Sequence, residues 1–215
     1  MLFFLDTADI KTIEKLNNYG LVDGVTTNPS IIAKSGVDFK QTIQAICSIV
    51  KGPVSAEVMG DTFDEMIKEA NELSKIAKNV CIKLPTTMEG LKACRYLTDH
   101  GVQTNLTLCF SVTQAIMVAK AGATFVSPFI GRWDDVSLNG LNIISDIKKV
   151  YQNYNVKTKI LAASIRHNVH VLECAKIGAD VVTIPPALLE KMSQHPLTTQ
   201  GIEIFKNDWK LANSK

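Results

Sequence analysis

Short apolar, β-branched runs recur along the chain, separated by longer stretches of helical period. The runs predict strands over Leu2–Asp6, Gly24–Asn28, Val54–Met59, Val80–Leu84, Gln103–Leu108, Phe125–Phe129, Lys159–Ser164 and Asp180–Ile184. Between them, Thr62–Lys78, Met88–His100, Ser111–Ala121 and Asn139–Tyr154 carry the spacing of amphipathic helices. Gly101, Gly122 and Gly178 each follow a helix and precede a strand, where a C-terminal cap belongs. The strands recur roughly every 20 to 35 residues, as right-handed strand–helix–strand units require. No linker, low-complexity tract or shift of composition divides the sequence, so residues 1–215 read as one domain.

An open doubly wound sheet and a closed (β/α)8 TIM barrel both fit this alternation. Polar residues separate them, because an open sheet gathers ligand groups at one switch point and a barrel draws them from many strand ends. Here nearly every strand ends in a reactive or hydrogen-bonding group: Asp6, Asn28, Glu57, Lys83, Asn105 with Thr107, Ser127 and Ser164. The first strand leads into Asp6-Thr-Ala-Asp9 rather than a glycine-rich phosphate turn. The barrel is the expected fold class. Side chains two apart on a strand share a face, which pairs Lys83 with Cys81, Glu57 with Ser55, Asn28 with Thr26 and Thr107 with Asn105. The neighbours Ala56 and Val58, and Leu106 and Leu108, are apolar. This places the polar parity inside the barrel and the apolar parity under the helices.

Composition narrows the function. The 215 residues are 46% hydrophobic and 20% charged, with a formal net charge of +2. No basic run exceeds a pair such as Lys148–Lys149, so nucleic acid is not an expected partner. No apolar run approaches the ~18 residues of a membrane span, and the first residues do not resemble an export signal. A soluble, cytoplasmic protein is expected. Cys47, Cys81, Cys94, Cys109 and Cys174 are odd in number, widely spaced and set among apolar neighbours, as reduced, packed cysteines are. His167 and His170 are three apart on an expected helix and can share a ligand. None of His100, His167, His170 and His195 ends a strand, however, so ordinary surface histidines are expected and no metal.

Asp6, Glu57 and Lys83 converging in one lumen point to chemistry, since charged groups on central strands are rarely buried without a partner or a purpose. Between apolar walls an ammonium is disfavoured and a neutral amine becomes available. Such an amine attacks carbonyls and forms an iminium that withdraws electrons from a nearby carbon–carbon bond. The plainer alternative is a salt bridge from Lys83 to Glu57 or Asp6. Ala162-Ala-Ser-Ile-Arg166 ends the seventh strand and is expected to begin a helix. Ser164, Arg166 and the first amides of that helix can meet a phosphate there. Arg132 offers a second cation. For both arginines a surface ion pair is the alternative.

Leu5-Asp-Thr-Ala-Asp9, Gly24-Val-Thr-Thr-Asn-Pro-Ser-Ile-Ile32, Val80-Cys-Ile-Lys-Leu-Pro85, Asn105-Leu-Thr-Leu108, Ser127-Pro-Phe-Ile-Gly-Arg132 and Ala162-Ala-Ser-Ile-Arg166 resemble the small transaldolase family in order and content. The resemblance implies an eight-stranded α/β barrel, sugar-phosphate substrates and no cofactor. It implies Lys83 as the Schiff-base lysine and Asp6 as the group handling the substrate hydroxyl proton. Glu57 is implied as a proton shuttle through a water held with Thr107. Asn28, Asn105, Ser127 and Phe129 are implied around the dihydroxyacetone unit, with Arg132, Ser164 and Arg166 on the phosphate.

A close branch of the family, the fructose 6-phosphate aldolases, carries glutamine at the position of Glu57 and tyrosine at that of Phe129. The residues here resemble the transaldolase branch at both. A lyase of that branch, or a non-catalytic sugar-phosphate-binding barrel, remain the alternatives. The pattern of Ile202, Phe205 and Trp209 predicts a last helix over Thr199–Asn213. Packing on its own barrel is the simplest fate for it. The resemblance implies instead a homo-oligomer, pentamer or decamer, in which this helix meets a neighbour.

Overall fold

The computed structural model describes residues 1–29 and 38–213. Eight parallel strands close into a barrel in sequence order: β1 (Leu2–Asp6), β2 (Gly24–Thr26), β3 (Val54–Glu57), β4 (Val80–Pro85), β5 (Thr104–Cys109), β6 (Phe125–Pro128), β7 (Lys159–Ala162) and β8 (Val181–Ile184). The barrel therefore replaces the open sheet. Its seam pairs Leu2 with Val181 and Leu5 with Ile184. Around it run α1 (Ile10–Asn17), α2 (Phe39–Ile49), α3 (Phe63–Leu73), α4 (Met88–Asp99), α5 (Val112–Ala121), α6 (Ile130–Asp134), α7 (Gly140–Asn153), α8 (Asn168–Ile177), α9 (Pro186–Met192) and α10 (Pro196–Ala212). The motif residues Ser30, Ile31 and Ile32 lie outside the described residues.

Register explains the division of side chains. Glu57 pairs with Lys83, Lys83 with Asn105, and Asn105 with Phe125, so one face of successive strands forms a continuous inner wall. The other parity, including Leu5, Val25, Ala56, Ile82, Leu84, Leu106, Val126, Ile160 and Val182, packs outward against the helices. Fully burying each valine, leucine or isoleucine among them contributes roughly 1.5–3 kcal/mol. The polar-inside expectation needs one correction. The lower lumen is apolar, filled by Phe4, Cys81, Phe125 and Val181, and Leu161 and Ala163 continue this cluster upward to the cavity at the strand ends. Phe4 and Phe125 meet edge to face at 5.7 Å. Gly24 makes room for this plug, since a Cβ there would stand 2.6 Å from the Phe4 ring.

Several strands leave the ladder earlier than their apolar runs suggest. β2 ends at Thr26, β3 at Glu57 and β7 at Ala162, so Asn28 and Ser164 lie beyond the ladder, where both line the cavity at the barrel mouth. Ser164 turns the chain at φ 58, and α8 starts only at Asn168. The Ala162–Arg166 segment is thus a strand end and a turn, not a helix start. The helix expected over Thr62–Lys78 stops at Leu73, because the following turns bring Asn79 to donate to the Val50 and Gly52 carbonyls. Gly122 and Gly178 cap α5 and α8 in the left-handed conformation, and Gly101 adopts it one residue past the cap of α4. At the end of the chain, α10 begins at Pro196 rather than Thr199. It buries none of its residues, contrary to simple packing on its own barrel.

Candidate active site

The C-terminal ends of the strands enclose a cavity of about 230 Å³. Asp6, Asn28, Lys83, Thr107, Ser127, Phe129, Arg132, Ser164 and Arg166, each expected at the site, all line it. Glu57 and Asn105 complete the set through direct bonds to Lys83 and Ser127. One connected site thus holds every residue proposed from the sequence.

Lys83 is buried, with 6% of its surface exposed. Its Nζ donates to the Thr27 carbonyl at 3.1 Å and lies 2.9 Å from Glu57 Oε2. The salt bridge weighed as the plainer alternative is therefore present, in the same cavity as the other polar groups. A buried ion pair is weak evidence for stability, because desolvating two charges offsets most of their attraction. It also sets a carboxylate in direct contact with the lysine nitrogen. Thr107 Oγ1 is buried and has no hydrogen-bond partner among the described residues, which leaves its donor and acceptor capacity for something in the cavity.

Asp6 faces the same space. Its enclosure pushes the carboxyl above its ordinary value; the Thr26 hydrogen bond and the Lys83 charge oppose this, and Glu57 adds to it. Thr26 Oγ1 donates to Asp6 Oδ1 at 2.9 Å and lies 2.5 Å from Thr183 Oγ1. A hydroxyl has one proton to give, so Thr183 donates to Thr26 and Thr26 to Asp6. On the other side of the lumen, Ser127 Oγ donates to Asn105 Oδ1 at 2.6 Å, and Asn105 Nδ2 donates to Ser55 Oγ at 3.1 Å. Asn105 is thereby fixed at both ends of its amide. Thr183 and the holding role of Ser55 escaped the sequence reading, although the two-residue alternation of β8 was enough to turn Thr183 inward.

The rim is cationic. Arg132 is exposed on α6. Arg166 carries both of its expected characters: it lines the cavity, yet its Nη2 pairs with Asp135 Oδ2 at 2.9 Å in a half-exposed bridge. The histidine expectation needs correction, since His170 is buried and bonds to Asp134. Four of the five cysteines are buried, Cys47 is half-buried, and all are unpaired. Among the described residues no three His, Cys, Asp or Glu side chains are grouped to hold a metal ion. None of the described helices is long and apolar enough to cross a membrane. A larger apolar cleft of about 730 Å³ lies between α5 and α7, but its ionisable groups are lysines and tyrosines with no acid among them. The smaller cavity is the one that brings a carboxylate, Asp6, together with the buried lysine.

A closed eight-stranded α/β barrel with a buried lysine–carboxylate pair at the C-terminal ends of its strands narrows the class of protein, and comparison resolves it further. The family model for transaldolase/fructose-6-phosphate aldolase matches residues 3–214, and the chain belongs to this family. It is 57% identical to a probable transaldolase of Brucella ovis and 58% identical to one of Sinorhizobium medicae. Each match covers all of this chain and 99% of the relative. Among solved structures, the barrel is similar to inosine 5′-monophosphate dehydrogenase from Legionella pneumophila, with a TM-score of 0.60 and 13% identity. That match covers 87% of this chain and 58% of the other, and it speaks for the fold alone.

Proposed function

We propose that this protein is a transaldolase that moves a dihydroxyacetone unit from a ketose phosphate to an aldose phosphate through a Schiff base on Lys83. The observation that carries this reading is the 2.9 Å contact between buried Lys83 and Glu57 at the floor of a cavity with two arginines on its rim. Glu57 takes the ammonium proton, and the neutral amine adds to the ketone of sedoheptulose 7-phosphate or fructose 6-phosphate. Loss of water from the adduct gives the iminium. Glu57 and a water held by Thr107 carry the protons of that step. Asp6 then accepts the proton of the hydroxyl two carbons from the iminium. The carbon–carbon bond between them breaks, its electrons forming the enamine, and the shortened aldose phosphate leaves. A second aldose phosphate, glyceraldehyde 3-phosphate or erythrose 4-phosphate, accepts the three-carbon unit by the reverse steps.

Asn28, Asn105, Ser127 and Phe129 position the dihydroxyacetone end, while Arg132, Ser164 and Arg166 hold the phosphate. Transfer is favoured over plain cleavage because Glu57 is a carboxylate, which can take a proton from water and offset the iminium charge as an amide cannot. Reduction with borohydride in the presence of fructose 6-phosphate is expected to leave a three-carbon adduct on Lys83, read by mass spectrometry. No adduct and no exchange of labelled carbons would leave only a binding protein. Rapid condensation of free dihydroxyacetone with glyceraldehyde 3-phosphate would instead identify a lyase.

The enzyme acts in the cytoplasm as a single-domain subunit of a homo-oligomer. Leu197, Ile202, Phe205 and Trp209 of α10 are exposed, and a neighbouring subunit would cover them. Removal of the residues after Gly201 is expected to reduce the assembly size by light scattering; an unchanged size refutes this assignment.

A further inference from the structure

His167 and His170, paired by the sequence on one helix, have no task in the reaction above. His170 stands in the first turn of α8 and is 3% exposed. Its Nδ1 accepts the Arg166 backbone N–H at 3.3 Å, so the ring proton is assigned to Nε2. Nε2 then donates to Asp134 Oδ2 at 2.9 Å, and Asp134 Oδ1 accepts the Gly140 backbone N–H at 3.0 Å. One neutral ring therefore ties together the turn bearing Ser164 and Arg166, the helix α6 bearing Arg132, and the start of α7. The seam between these segments is close. Gly131 N–H donates to the Ser164 carbonyl at 3.1 Å, and a Cβ on Gly131 would stand 2.5 Å from that oxygen and 2.6 Å from Arg166 Nε.

We propose that His170 is a positioning residue for phosphate recognition: its neutral ring sets the spacing of Arg132 from the Ser164–Arg166 turn, and a proton on Nδ1 releases that turn. The proposal rests on the reading of Arg132, Ser164 and Arg166 as the phosphate grip. The charged and titratable groups facing the ring are Asp134 on α6, and His167 and Arg166 on the segment leading into α8. Asp135 acts one step away, through its bridge to Arg166. Burial is the main cause holding the imidazole below its ordinary value, with His167 and Arg166 adding to it and Asp134 opposing. The neutral ring therefore prevails near neutral pH, and phosphate affinity weakens as acid protonates Nδ1.

Two isosteric variants separate the two bonds. His170→Asn keeps an acceptor for the Arg166 amide and loses the donor to Asp134, whereas His170→Gln does the reverse. The measurements are the inhibition constant of inorganic phosphate, and KM and kcat for fructose 6-phosphate, from about pH 5.5 to about pH 8. Each variant is expected to raise the phosphate constant and KM about tenfold at neutral pH while kcat stays within about threefold. The ratio of variant to native phosphate constants, which cancels the titration of phosphate itself, should shrink towards one in acid for His170→Gln.

Arg132→Ala and Arg166→Ala serve as controls. Weaker phosphate inhibition in both, with no change in either His170 variant, overturns the positioning role alone. No change in any of the four overturns the phosphate reading and this proposal with it. A fall in kcat at constant KM also overturns it. Should one histidine variant fail to fold by circular dichroism, the other variant decides.

Discussion

Cys81 and Lys83 occupy the same face of β4, two residues apart, in very different company. Cys81 lies in the lower lumen among Phe4, Phe125 and Val181. Burial there raises its thiol to about 12, with the Ser55 hydroxyl opposing, so it stays protonated and serves as a small hydrophobe. Lys83 lies one layer higher, bonded to Glu57 and the Thr27 carbonyl. The apolar layer closes the barrel from below and makes every charge above it costly unless paired. The polar layer answers with bonds at almost every group. A reactive site arises here because an inert floor and a satisfied polar wall are built on the same strands at adjacent heights.

This contrast can be broken from either side. Lys83→Ala is expected to lower transfer by about 10⁴-fold or more and to abolish the reducible adduct, since the covalent step has no substitute nucleophile. Normal turnover in that variant would remove the mechanism. The floor should fail differently: Phe4→Ala is expected to cost about 3–5 kcal/mol of stability in a denaturant titration, with kcat far less affected wherever the protein is folded. If the variant were as stable as the native chain, the plug would not be part of the core. Glu57→Gln is expected to slow the reaction by about 10²-fold with KM little changed, because proton handling is lost and binding is not. A rate unchanged by that substitution would make the carboxylate a mere charge partner.

The smallest effect concerns pH. In the proposed reaction Asp6 must be ionised to accept the hydroxyl proton, and burial raises its pKa, so the acid limb of kcat should lie above the ordinary carboxylate range. Thr26→Val removes a bond that lowers this pKa, and the limb should move to higher pH in the rate profile. Movement in the opposite direction would reject Asp6 as the base. The raised value carries a cost as well. An acid whose pKa is higher in the folded than in the unfolded state stabilises folding below its unfolded pKa, and that contribution is lost as pH rises through the folded one.

Much of this arrangement was legible from alternation alone. The parity of Ser55 with Glu57, of Cys81 with Lys83 and of Asn105 with Thr107 is the parity of the lumen, and the eight apolar runs are the eight strands. Phe4 and Phe125 share the face of Asp6 and Ser127, yet their role as a floor depends on barrel height, which no single strand reveals. His170 looked like a surface residue because its burial comes from α6 and the Ser164 turn, segments distant in sequence and joined only after closure. Arg166 offers two readings, an ion pair or an anion site, and it both bridges to Asp135 and lines the cavity, because α6 and the Ser164 turn meet only after closure. The helix ending at Leu73 was overestimated because nothing local announces the bonds that Asn79 makes to Val50 and Gly52.

Barrel closure also determines when reactivity is acquired. Thr26 and Thr183, joined by a hydroxyl contact, are 157 residues apart in sequence, and β1 gains its second neighbour only when β8 docks. During synthesis, Asp6 emerges early but has no completed hydroxyl relay until nearly the whole polypeptide exists. A nascent or truncated chain therefore leaves Asp6 without the Thr183–Thr26 relay, and the polar wall of the cavity is completed only when the ring is sealed.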